Sequence, residues 1–286
     1  MKIGISTYCL CREYIAGRMD LPDMVDFVAD RNGEQLEFSP GNWCDTTDRA
    51  LLERLKKRAK ERNIMLSSFT VAANFCQEDA QARAAELERL KKHVETAAFL
   101  EVPLMRSDAG NRPAMMCTRE QFEQDLPFVA ECCAALADYA AKYGITLSVE
   151  NHGFLFQNSE RVQQLIKTVN RKNYRTTLDV GNFLCADEDP LIGTINNISL
   201  AAQVHFKDFL RRTPSDFQPG GSWIRTRSGC LIRGTILGHG MMDIRALADV
   251  VKRSGFDGCV SLEFEGPEDC IKGTEIGIET LNRLFK

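Results

Sequence analysis

The 286 residues are 44% hydrophobic and 27% charged, and 36 Lys+Arg against 40 Asp+Glu leave a net charge of −4. This ordinary globular composition has no basic block with which to hold a phosphate backbone or an anionic membrane surface, so neither nucleic acid nor a membrane is an expected partner. No apolar run approaches the roughly 18 residues of a membrane span, and Met1-Lys2-Ile3-Gly4 enters a strand-like segment without a signal core, which gives a cytoplasmic expectation.

Hydrophobic period divides the chain into short strand-like runs and longer helical ones. Lys2–Ser6 reads as a strand and Leu21–Ala29 as the helix after it. The same pairing recurs as Gln35–Phe38 with Asp48–Arg62, Met65–Thr70 with Asp79–Phe99, and Val102–Arg106 with Arg119–Lys142. It continues as Thr146–Glu150 with Ser159–Val169, Thr176–Asp179 with Asp189–Ile195, Ala202–Phe206 with Met242–Arg253, and Cys259–Phe264 with Thr274–Leu284. His93, on the third helix, is expected to be exposed. The 11 cysteines show no CxxC spacing and read as reduced, mostly buried thiols.

Eight strands each followed by a helix predict an α/β fold, a single (β/α)8 TIM barrel over residues 1–286. The stretch Leu210–Gly240 after strand seven is too long for a routine connection and reads as an active-site loop or lid, with Gly220-Gly221 allowing movement.

In such a barrel the strand ends converge on one mouth. On the last four strands the polar residues there are Glu150, Asp179, His205 and Glu263, the first three spaced close to one βα repeat of about 30 residues. Three carboxylates and an imidazole brought together repel and desolvate one another unless a cation joins them. One divalent metal ion is therefore expected. Oxygen-rich ligation with a single His favours Mn²⁺, with Mg²⁺, Co²⁺ or Zn²⁺ as alternatives.

The ordered runs KIGISTYCL at strand one, LSVENH (147–152), TLDVGN (177–182), VHFKD (204–208), LGHGMMD (237–243) and GFDGCVSLEFEG (255–266) resemble the xylose-isomerase-like barrels, the sugar phosphate isomerase/epimerase superfamily, over the whole chain. The resemblance implies that Glu150, Asp179, His205 and Glu263 are the metal ligands. It implies a metal-dependent sugar isomerase or epimerase that abstracts a proton beside a metal-polarised carbonyl, with Glu150 and Glu263 as the acid/base pair. The endonuclease IV branch needs more histidines for its three-zinc site than His93, His152, His205 and His239 supply. Two rivals remain: a lyase that dehydrates a keto-inositol or keto-sugar, and a non-catalytic sugar-binding barrel.

Substrate contacts are expected from Glu37, Lys207, Trp223 and Arg233, and from His152 and His239, where the chain departs from the family pattern. Glu37 is a polar rim residue or a hydroxyl acceptor. Lys207 shares the face of His205 and either stabilises developing negative charge or pairs with Asp179 or Glu150. Trp223 is placed to cover an apolar sugar face, and Asp208 reads as a loop-anchoring carboxylate. Strand eight runs into Glu265-Gly266-Pro267-Glu268-Asp269, whose carboxylates and missing Pro267 N–H are wrong for phosphate. A solvated loop surface accounts for Arg211, Arg212, Arg225, Arg227 and Arg233 as well as a phosphate site does. The expected partner is a small polyhydroxylated carbonyl compound without phosphate. Its identity is open, as is assembly into a homo-oligomer.

Overall fold

The computed structural model describes residues 1–286. Eight parallel strands close a barrel: β1 (Lys2–Ser6), β2 (Gln35–Phe38), β3 (Met65–Val71), β4 (Leu104–Ser107), β5 (Thr146–Glu150), β6 (Tyr174–Asp179), β7 (Ala201–Phe206) and β11 (Cys259–Leu262), where β11 pairs with both β1 and β7. The sequence Gln203-Val204-His205-Phe206-Lys207 shows how the wall is made. Val204 and Phe206 are fully buried in the apolar core, which lies between the barrel and its helices, while Gln203 and His205 form polar contacts in the lumen. The same alternation places Ile3 and Ile5, Leu36 and Phe38, and Leu147 and Val149 in the core, because successive strand side chains point to opposite faces.

The lumen is accordingly a hydrogen-bonded layer. Gln35 accepts from Ser67 at 2.6 Å and donates to Ser261 at 3.0 Å, and Gln203 donates to the same Ser261 oxygen at 2.9 Å. Gly4 makes room for it: a Cβ there would stand 1.8 Å from the Gln35 carbonyl oxygen.

The helices are α1 (Cys11–Ile15), α2 (Leu21–Ala29), α3 (Arg49–Glu61), α4 (Ala80–Phe99), α5 (Arg119–Ala141), α6 (Ser159–Val169), α7 (Pro190–Asn197), α8 (Ile244–Arg253) and α9 (Cys270–Phe285). Side-chain caps set their starts: Asp48 accepts from Leu51 N–H, Asp79 from Gln81 and Ala82, and Asp243 from Ala246. The last helix begins four residues before the expected Thr274 because Asp269 accepts from Lys272 N–H, and Gly273 and Gly277 let it close on Phe264 and Leu262. The short α1 was not foreseen, since it has no apolar period. None of the cysteines is in a disulfide, and most are buried. No helix is long and apolar enough to cross a membrane.

Two expectations are corrected. His93 is half-buried, its ring 5.8 Å from that of Phe69 and its Nε2 3.0 Å from Arg89. The segment 210–240 is no plain loop. It carries most of an antiparallel sheet of β8 (Asp208–Arg212), β10 (Leu231–Thr235) and the short β9 (Ile224–Arg225), with Leu184, Cys185, Phe209 and Ile232 as a small core of its own.

Candidate metal centre

The four strand-end residues meet. Glu150 and Asp179 are the last residues of β5 and β6, His205 lies one residue before the end of β7, and Glu263 follows β11 directly. One ligand atom from each lies within 4.8 Å of all the others. His205 Nδ1 is 3.9 Å from each of Glu150 Oε1, Asp179 Oδ2 and Glu263 Oε2.

Hydrogen bonds aim these side chains and leave one atom each of Asp179 and His205 without a hydrogen bond. Asp179 Oδ1 accepts from the N–H groups of Gly181 and Asn182 at 2.8 and 2.7 Å, and Oδ2 makes no hydrogen bond, with only the Lys207 ammonium beside it. The Nε2–H of His205 donates to Glu37 at 2.7 Å, and Nδ1 has no partner. Asn151 clasps the backbone N–H and carbonyl of Asp179 at 2.8 Å each, tying β5 to β6. Asn182 donates to Glu150 Oε1 at 2.8 Å. The unpaired buried His205 Nδ1 costs about 1–3 kcal/mol. The convergence of His205 with three carboxylates fits a divalent cation in chemistry as well as in spacing.

Part of the negative charge is balanced by the protein itself. Lys207 Nζ lies 2.5 Å from Glu263, 3.3 Å from Asp179 and 3.5 Å from Glu265, and Arg106 pairs with Glu150 and, at 2.9 Å, with Asp108. These cations shape the proton affinities. Burial pushes Asp179 up to about 7 against the pull of Lys207. Burial works against a charged His205, yet Glu37 and the other carboxylates raise it to about 10. Loss of water works to raise Glu263, but Lys207 and His205 hold it well below the usual carboxylate range.

The quartet lies at the floor of a cavity of about 540 Å³, into which Glu150, Glu263, Lys207 and His152 project. His152 Nδ1 is 3.1 Å from Asp108 at the mouth. Other expected substrate residues are elsewhere. Glu37 is fully buried and bonded to Thr70, Gln203 and His205, so it braces the floor and is not at the rim. Trp223 and Arg233 stack on each other, 4.8 Å from guanidinium carbon to ring centroid, and do not line the cavity; Ile224 does. His239 is exposed on the turn that Asp208 anchors by accepting from the N–H groups of Gly238, Gly240 and Met242. Gly240 is required there, because a Cβ would lie 2.1 Å from the Asp208 carboxylate.

Sequence reading missed Arg106, Asp108, Tyr8 and Asn182, all of which line the cavity. The signal for Arg106 was present, since it was the last residue of the predicted fourth strand; applying the strand-end rule to all eight strands finds it. Asn182 closes the TLDVGN run.

A barrel with its candidate ligands on β5, β6, β7 and just beyond β11 defines the class, and the family follows. Residues 25–284 match the model of the xylose isomerase-like TIM barrel family, and the chain belongs to it. No curated protein is similar enough in sequence to count as a match. Among solved structures, the chain is similar to a probable 3-DHS dehydratase from Bacillus anthracis (15% identity, 99% of this chain and 99% of that one, TM-score 0.77). It is also similar to D-psicose 3-epimerase from Clostridium cellulolyticum, solved with D-tagatose (15%, 99% and 98%, TM-score 0.72), and to an IOLI protein binding a zinc atom (17%, 99% and 98%, TM-score 0.71). At these identities the likeness establishes the fold alone.

Proposed function

We propose that the protein is a divalent-metal-dependent enzyme that moves a proton beside the carbonyl of a small polyhydroxylated substrate, as a sugar isomerase or epimerase, with Mn²⁺ the favoured ion. The observation that carries this reading is the convergence of Glu150, Asp179, His205 and Glu263 under the cavity, with two of their buried atoms making no hydrogen bond. A bound divalent ion supplies Lewis acidity, polarising a substrate carbonyl and lowering the barrier to loss of the adjacent proton. Glu150 and Glu263 reach the cavity from different strands, so one takes the proton and the other returns it. Lys207 holds Glu263 in its charged form and sits where negative charge develops.

The substrate is read as unphosphorylated. Of the arginines, only Arg106 lines the cavity, and Asp108 and Glu150 already engage it; Glu265 adds a further carboxylate. A second reading, a lyase acting on a keto-sugar or keto-inositol, is favoured by the Lys207 ammonium facing the cavity. It is an acid placed to protonate a departing hydroxyl, and the Bacillus anthracis neighbour is a probable dehydratase.

Incubating the Mn²⁺-loaded protein with aldoses, ketoses and inososes in D₂O tests both. Deuterium at the carbon beside the carbonyl with unchanged atom count supports isomerisation or epimerisation. Loss of one water with conjugated-enone absorbance supports the lyase. Binding without exchange in any substrate overturns catalysis and leaves a sugar-binding barrel.

A further inference from the structure

The cysteine after strand one lies beside the candidate ligand Glu263. The ladder between β1 and β11 ends at Ile5 opposite Leu262, one residue short of Glu263. Beyond it β1 gives way to a 3-10 turn over Thr7–Leu10, started by Ser6 accepting from Tyr8 N–H, so no strand neighbour remains on that side for the backbone around Glu263. The turn drops Cys9, 2% exposed, into the gap. Its Sγ lies 3.2 Å from the Leu262 carbonyl oxygen, to which it donates, and accepts from Phe264 N–H at 3.1 Å. On the other side, Glu263 N–H donates to Phe206 O at 2.9 Å.

The geometry points to Cys9 as the positioning residue for Glu263. A neutral thiol offers one donor and one acceptor and so replaces both halves of the missing ladder. With the residues before and after it pinned to Cys9 and its own N–H pinned to β7, Glu263 has little freedom to swing away from His205 and Lys207. Removing the thiol leaves a buried carbonyl and a buried N–H unpaired beside a candidate ligand, and groups that orient ligands commonly change metal affinity by about 10–100-fold.

This inference rests on the reading of Glu263 as a ligand, and titration with Mn²⁺ alone separates the two. Calorimetry on Cys9→Ala and on Cys9→Val, which fills the space without hydrogen-bonding, is expected to show Mn²⁺ affinity weakened by about tenfold or more. Cys9→Ser, which keeps a donor and an acceptor, restores most of it. Cys133→Ala, a buried thiol remote from the quartet, is the control for general destabilisation and leaves the affinity unchanged. Wild-type affinity in Cys9→Val, or an equal loss in Cys133→Ala, overturns the role of Cys9 while the metal site stands. Failure of the unmutated protein to bind Mn²⁺, Co²⁺ or Zn²⁺ overturns the site itself. Should Cys9→Ala not fold, Cys9→Val and Cys9→Ser decide the question.

Discussion

The floor and the rim of the cavity are built in opposite ways. On the floor the charged side chains are buried or nearly so, and each is held by at least one partner from another strand: His205 by Glu37, Asp179 and Glu263 by Lys207, and Glu150 by Arg106. On the rim, the sheet of β8, β9 and β10 and the turn after β9 have exposed arginines at 211, 212, 225 and 227, and the stretch from Thr213 to Ser222 is almost wholly exposed. The floor exchanges water for fixed polar partners, so a small displacement there is costly. The rim keeps its water, so changes there are cheap. Under the proposed function, chemistry that depends on ligand geometry belongs to the floor, and variation in what enters belongs to the rim.

The largest effect is expected from removing a ligand atom. Asp179→Ala and His205→Ala should each abolish stoichiometric metal loading, read by elemental analysis after dialysis, and take activity to background. Full occupancy in both would show that the floor is a salt-bridge network and not a metal centre.

Next come the proposed acid/base residues. Glu150→Gln and Glu263→Gln keep size and hydrogen bonding, and at saturating Mn²⁺ each should lower substrate proton exchange by about 10²–10⁴-fold. A Gln variant that exchanges at the wild-type rate marks that residue as a ligand only.

A third effect follows from the proton affinities. A cation must displace the proton that His205 holds up to about 10, and below about 7 also the proton on Asp179. Mn²⁺ affinity should therefore fall as pH falls, by about tenfold per unit between pH 7 and 9 and more steeply, towards about a hundredfold per unit, below pH 7. Calorimetric titration from pH 6 to 9 reads the slope; a flat profile would mean that neither group ligates.

The smallest effects belong to the rim. Trp223→Ala should cost about 1 kcal/mol or less in stability, the scale of an exposed cation–π contact, with kcat/KM near wild type. A large loss in kcat/KM would bring Trp223 into the substrate site and erase the division between floor and rim. Limited proteolysis between Thr213 and Ser222 checks the expectation that this segment closes: protection at saturating substrate supports it, and unchanged cleavage counts against it.

The barrel and the quartet were legible because both follow local rules. A strand of period two, such as Gln203 to Lys207, declares which side chains face the lumen, and a βα repeat of nearly constant length brings the ends of successive strands to one mouth. Helix starts at Asp48, Asp79 and Asp243 were readable to within two residues, because a capping carboxylate acts within one turn.

What the sequence alone did not carry is which neighbours those side chains meet. That Glu37 braces His205 across 168 positions, that Cys9 stands in for a missing ladder beside Glu263, and that Arg106 engages Glu150 all depend on closing the barrel, which joins β11 to β1 and sets the register between strands. The same holds for the rim, where Ile224 and not Trp223 faces the cavity because antiparallel pairing with β10 fixed the side each residue takes. Periodicity is a property of the chain and survives in any window of it; register, burial and the partner of a charge are properties of the closed structure, since they are set by contacts between residues far apart in sequence.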